Sequence, residues 1–344
     1  VALVGPRGSG GGGSRGMWFS EPGGGKEEAQ DDAPYFETAM QAVENSLRSA
    51  TCYALMKESS KVLVFEHRVS FHLAVCALIE NSIQVAPVWD GSRFVGIMSV
   101  SDYVDAARLY HAHQRPVEEL AQRTIADMLE SDAIYRIKFR DFSAATTLDA
   151  EDSVYEAVRL LRRLGVDYVP VMDPDEGNLL ATLGHHDVLG LVLETARTHP
   201  QLFMTPVSEL RIGTFGHESV VTAPAHAPLS EVLALLEQRG ISAVPITDAA
   251  GRVTSIYHRA DVTFLASATD PEASMSNLDV PVGEILEQQQ GGTSLVTCSA
   301  TDTLLQALHR TFEAHTTRLL CLDDGGRCLG IISVKDLVGY FLDA

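Results

Sequence analysis

The chain of 344 residues is short of several things, and each shortage excludes something. Its five cysteines, Cys52, Cys76, Cys298, Cys321 and Cys328, are odd in number and nowhere spaced as CxxC. A disulfide framework and a cysteine zinc site are therefore disfavoured, and a reduced cytoplasmic or nuclear setting is expected. No apolar run approaches the roughly 18–20 residues of a membrane helix, so no membrane partner is expected. A basic stretch followed by an apolar one, the mark of a secretory leader, is also missing. Basic residues are scarce: 26 Lys and Arg stand against 46 Asp and Glu, a net charge of -20. Wholesale binding to a nucleic-acid backbone is excluded as the main task, although a small anion needs only a local positive site.

Glycine, by contrast, is concentrated at one end. Residues 1–33 are Gly-rich with scattered charges and read as a flexible tail that cannot bury enough apolar surface to order itself. Two motif matches in it are accidents of composition. Gly12, Ser14 and Gly16 spell a nucleophile elbow without the strand and helix that it needs, and GGGKEE lacks the Ser or Thr of a phosphate loop.

Beyond the tail the chain repeats. GIMSVSD at 96–102 returns as GIISVKD at 330–336. VAPVWD, YVPVMD and AVPITD share an apolar-Pro-apolar-x-Asp pattern around Pro87, Pro170 and Pro245, and RLLCLD follows it with Leu320 in place of the proline. Each is followed by a Gly/Asp turn, a second strand and an acid: Asp102, Asp187, Asp261 and Asp336, at intervals of 85, 74 and 75 residues. Ahead of each lies a short β-rich piece (KVLVFE, AATTL, SVVTA, SLVTC) and a helix. Val154, Val158, Leu161 and Leu164 fall at helical spacing, as do Leu229, Leu233 and Leu236, and then Leu304, Leu308 and Phe312 behind the cap candidates Thr301 and Asp302. Every unit reads strand–helix–strand–strand–helix, an α+β pattern. One such unit buries only one sheet face, so four units are expected as two pairs.

These units resemble CBS domains, which pair into Bateman modules. The phrases CYALMKESSKVLVFE, SELRIGTFGHESVV, GRVTSIYHRADV and NLDVPVGEIL, in that order, resemble the regulatory γ subunit of AMP-activated protein kinase from about residue 47 onward. The expected layout is a tail (1–33), an N-terminal helix and connection (34–60), CBS 1 (61–112), a linker helix (113–134), CBS 2 (135–198), CBS 3 (199–268) and CBS 4 (269–344). The resemblance implies a non-catalytic subunit that binds AMP, ADP and ATP as regulatory ligands, in a heterotrimer with a kinase α subunit and a scaffolding β subunit. No cofactor or metal is expected.

The acid closing each unit sits where a strand passes into a helix, and its simplest role is to cap that helix. The resemblance adds ribose binding at Asp102, Asp261 and Asp336, whereas at Asp187 the family carries Arg. Arg318 matches a phosphate-binding arginine, a role suited to a guanidinium fork. The other phosphate positions hold Gln84, Asp167, Tyr168, His186, Gln289 and Thr317, of which Asp167 is repulsive to a phosphate. Replacement charge is offered by His185, His186, His258, Arg259 and Lys335, the last read as a solvated surface residue. The adenine slots correspond to Thr146, Thr214, Ser219, Ser242, Ala243, Val296, Ile97, Met98 and Ser333. The lost phosphate ligands also fit a scaffold of the kinase complex in which nucleotide binding is weak or absent. His111, His113 and the His185-His186 pair lack the converging ligands of a metal centre.

Overall fold

The computed structural model describes residues 32–56, 63–81, 83, 85–130, 146–216, 219–259, 277–288 and 295–342. Within them the four repeats fold alike. The first holds β1 (Phe65–Glu66), β2 (Val85–Asp90) and β3 (Arg93–Ser99), and the second holds β4 (Leu148–Asp149), β5 (Tyr168–Met172) and β6 (Leu179–Gly184). In the third, β7 (Thr214–Phe215) precedes β8 (Ala223–Pro224), β9 (Ala243–Thr247) and β10 (Val253–His258). The fourth holds β11 (Thr297–Cys298), β12 (Arg318–Leu322) and β13 (Cys328–Ser333). In every unit the short first strand runs parallel to the middle strand, and the third runs antiparallel to it.

That order explains a proline in the middle of a sheet, where its missing N–H is normally costly. The first strand never reaches it. Pairing begins one residue later, at Phe65↔Val88, Leu148↔Val171 and Ala223↔Ile246. In the fourth unit Leu320 occupies the position, and there the parallel pairing extends to Thr297↔Leu320. The Leu320 N–H donates to the Val296 carbonyl at 3.0 Å, a bond proline cannot make.

Helices Val154–Leu164, Leu229–Arg239 and Leu304–Glu313 bury the expected stripes, with Val154, Val158, Leu161, Leu229, Leu233, Leu236, Leu304 and Leu308 all buried. Ser153 accepts from the Glu156 N–H at 3.3 Å, and Gly165 (φ 59°) supplies the left-handed residue that stops the helix. In the fourth unit the cap is Thr303, which forms a capping box with Gln306, and not Thr301 or Asp302. The Asp302 carboxylate is occupied by the Ser299 N–H and by Arg310.

The helices of units one and three share one core, in which Phe71, Leu78 and Tyr103 meet Leu229, Leu236 and Tyr257. Arg108–Glu237 and Arg259–Asp105 ion pairs cross the same boundary. Units two and four share a second core, joined by Val43 and Leu47 of the N-terminal helix Asp32–Ser49. Sheets three and four are in turn stitched together. β7 adds to the free edge of β13, and Val220, Ala243 and Ile256 pack on Leu320 and Cys328. The interval read as one linker helix holds two short ones, Val117–Gln122 and Ile125–Glu130, whose Leu120, Ile125 and Met128 enter the first core. Leu278, Val282 and Ile285, drawn with the fourth unit, pack in the core of units one and three.

Candidate functional site

Three of the four repeat acids lie in described residues, and Asp261, like Gln84 and Gln289, lies outside them. The three share one local geometry that differs from the expected cap. Each is the third residue of its helix, reaching back to the cap residue. Asp102 Oδ2 accepts from the Ser99 N–H at 2.6 Å and the Ser99 hydroxyl at 2.9 Å. Asp187 Oδ2 accepts from the Gly184 N–H at 2.9 Å. Asp336 Oδ2 accepts from the Ser333 N–H at 2.8 Å and its hydroxyl at 2.6 Å, while the Asp336 N–H donates to that hydroxyl at 3.1 Å. One carboxylate oxygen of Asp336 is thus committed to the helix, and Oδ1 remains for a ligand. Burial pushes the Asp102 carboxyl up to about 6 against the lowering effect of its Ser99 bonds.

Asp336 lines a cavity of about 440 Å³. Unit two contributes Arg162 and His185, the stretch before β7 contributes Arg211 and Gly213, and unit four contributes Lys335 with Asp336. The β7–β13 register, with Thr214 opposite Ile331, brings the segment carrying Arg211 to the strand that leads into Asp336. Gly213 is required there. Its φ is +87°, and a methyl on its Cα would lie 2.4 Å from the Ile331 carbonyl oxygen.

The predicted phosphate ligand Arg318 lies beside this cavity without lining it. Its guanidinium donates to the Ser242 hydroxyl and, at 2.9 Å, to the Thr317 carbonyl. Burial lowers its pKa, partly offset by the charges of Asp167 and Asp336, so both carboxylates act on it. Lys335 is no solvated bystander: its ammonium stands 2.7 Å from the Asp167 carboxylate. The Asp167 charge that would repel a phosphate is therefore already met by a cation. His185 and His258 supply no charge at neutral pH. Burial, reinforced by Lys335 and Arg318 respectively, holds each down to about 4. His186 stacks on His315, with ring centroids 5.4 Å apart.

Of the expected adenine-slot residues, Ser333 caps the Asp336 helix, Thr214 lies on β7 beside β13, and Ser242 is drawn to Arg318. Thr146 is buried, and Ala243 is buried at the seam between units three and four. Arg162 and Arg211 were not singled out by the sequence. They face the cavity only because units two, three and four converge, and no local pattern records that.

The repeated fold is that of tandem CBS domains. The CBS domain family matches residues 140–194, 212–267 and 291–343, and the first unit repeats the same sheet order. The chain is similar to the γ subunits of 5'-AMP-activated protein kinase. It is 31% identical over 325 residues to the γ subunit of Dictyostelium discoideum, covering 90% of this chain and 54% of that one. To the human γ-3 subunit it is 29% identical over 301 residues, covering 85% and 59%. The chain thus spans between half and two thirds of the length of these relatives. Protein MJ1225 of Methanocaldococcus jannaschii has the same fold, with a TM-score of 0.67 at 18% identity over 85% of this chain and all of that one.

Proposed function

We propose that this chain is the non-catalytic, adenine-nucleotide-sensing subunit of an AMP-activated-type protein kinase, working in the cytoplasm or nucleus with a catalytic α and a scaffolding β subunit. The observation that carries this reading is the cavity where units two, three and four converge, in which a carboxylate and three cations meet. Asp336 Oδ1 accepts the ribose hydroxyls. Arg162, Arg211 and Lys335 hold the phosphates, in place of the family cations that this sequence has lost. Arg318, tied to Ser242, couples the third unit to the same site. Ligand charge then competes with Asp167 for Lys335, which gives the site a reason to distinguish AMP from ATP.

Calorimetry with AMP, ATP and adenosine tests the binding. AMP should bind more tightly than adenosine, and Arg211→Ala should narrow that gap. Equal affinity for AMP and adenosine would refute the phosphate assignment. The Lys335–Asp167 pair also favours a second reading, a kinase scaffold with weak nucleotide binding, because a paired lysine is a poorer phosphate ligand. Asp167→Ala separates the two readings. An exposed pair is worth at most about 1 kcal/mol, so freeing Lys335 should tighten AMP up to roughly fivefold if the cavity is used. No change with either ligand would favour the scaffold. Assembly is tested at β1, an edge strand preceded by the half-exposed Val64. Val64→Pro should weaken co-purification with a β-type partner if that edge accepts a partner strand.

A further inference from the structure

At the far end of the first sheet, away from the repeat acids, three metal-ligating side chains converge. β1 ends in Glu66 and runs into His67, while β2 ends in Asp90. Parallel pairing of Glu66 with Trp89 sets these ends side by side. His67 is held by its backbone: its N–H donates to the Trp89 carbonyl, and its carbonyl accepts from the Ala126 N–H, both at 2.8 Å. Its ring is largely covered, with 16% of the side chain exposed, and Nδ1 is the atom nearest both carboxylates. Glu66 Oε1 lies 2.9 Å from Nδ1, and Asp90 Oδ1 lies 3.4 Å from it. All three donor atoms are within 4.8 Å of one another. The Gly91 N–H further steadies the Glu66 carboxylate at 3.3–3.4 Å.

A simple hydrogen bond explains one of these contacts but not both. A neutral imidazole has a single proton for Nδ1, and it satisfies one carboxylate. The second carboxylate then stands within 4.8 Å of the first with no proton of its own to accept. A cation at the centre satisfies all three. Zinc–nitrogen and zinc–oxygen bonds of about 2.0–2.2 Å at tetrahedral to octahedral angles put neighbouring donors about 3.0–3.5 Å apart, close to the observed spacings from Nδ1. One imidazole and two carboxylates, with open positions for water, make a borderline donor set suited to a divalent first-row transition ion. Both carboxylates are about half exposed, which leaves an entry path.

We propose that Glu66, His67 and Asp90 form a binding site for a divalent transition-metal ion such as Zn²⁺, clamping the outer ends of β1 and β2. The ion takes the Nδ1 lone pair, the ring proton moves to Nε2, and water completes the coordination. The site is independent of the nucleotide reading, and its test uses no nucleotide. The full chain, stripped with a chelator, is titrated with Zn²⁺ by calorimetry, with His67→Gln, Asp90→Asn and Glu66→Gln alongside. ¹⁵N-histidine spectra report which imidazole responds. The expected result is one equivalent of Zn²⁺ that shifts the His67 resonances and that each variant loses or binds at least tenfold more weakly, with no competition from Mg²⁺. Asp90→Asn changes a half-exposed side chain and carries the test even where His67→Gln disturbs the fold. Unchanged stoichiometry and affinity in Asp90→Asn, or an unperturbed His67 resonance at saturating Zn²⁺, would overturn the assignment.

Discussion

Asp336 is asked to do two things with two oxygens, and substitution can separate them. Oδ2 closes the capping box with Ser333, which leaves Oδ1 for a ligand in the cavity that Asp336 lines. Asparagine can keep the first role, since its amide oxygen accepts from the Ser333 N–H as the carboxylate does. It loses the charge that strengthens a bond to a ribose hydroxyl. A charged hydrogen bond contributes about 1.5–3 kcal/mol and a neutral one about 1 kcal/mol, so Asp336→Asn should weaken AMP by roughly 0.5–2 kcal/mol, or about twofold to thirtyfold. Asp336→Ala removes both roles. It should lose tenfold to a hundredfold in affinity and, through the cap, about 0.5–2 kcal/mol of stability. The assay is calorimetry with AMP and adenosine, paired with thermal melting without ligand. Because the ribose is common to both ligands, both should weaken equally in each variant. Ordinary melting in Asp336→Ala would show that the box contributes little. If AMP weakens while adenosine does not, Asp336 acts on the phosphate end and the ribose role is wrong.

Three further outcomes are expected. Gly213→Ala forces a left-handed backbone on a side chain that collides with the Ile331 carbonyl, so it should cost on the order of 1–3 kcal/mol, lower the melting temperature and loosen β7 from β13, seen as faster amide exchange at Thr214 and Phe215. Leu320→Pro matches the other three units, so the fold should survive, but the Val296 carbonyl loses its donor and melting should fall by the equivalent of about 1–3 kcal/mol; an unchanged melting temperature would show that the extra bond is idle. His185, buried and held down to about 4, contributes stability that is complete above the ordinary value of 6.5 and is lost as pH falls through 4. The wild-type chain should therefore lose up to about 3 kcal/mol more than His185→Gln across that interval, measured by denaturant unfolding at each pH; parallel profiles would place the acid sensitivity elsewhere.

The repeat was readable because each unit solves the same local problem with the same residues. A buried middle strand reads as a continuous apolar run, a proline is tolerated where the first strand stops short, and in units one, two and four the closing acid reaches back to the N–H of the residue three before it. These relations span a few residues, and a sequence displays them directly. The fourth unit shows that even the exception was informative. Leu320 breaks the pattern at the one place where the first strand runs a residue further and requires an N–H. Thr303 displaced the expected caps for an equally local reason, since Asp302 was already engaged by Ser299 and Arg310.

The cavity obeys a different logic. Arg162 lies in the last turn of one helix, Arg211 in a connection before β7, and Lys335 at the start of the last α-helix. Each alone is an ordinary surface cation, and only the packing of unit two on unit four and the pairing of β7 with β13 bring them to one cavity. The resemblance pointed to positions that other chains fill with cations, found Asp167 and Tyr168 there, and so registered loss. It could not register replacement, because replacement came from other elements. Asp167 itself carries the lesson furthest. Its carboxylate was counted against a phosphate site, yet in the fold it holds Lys335 at the cavity wall. An acid that fixes a lysine where an anion arrives opposes binding only by the energy of an exposed ion pair, a fraction of what one well-placed cation contributes.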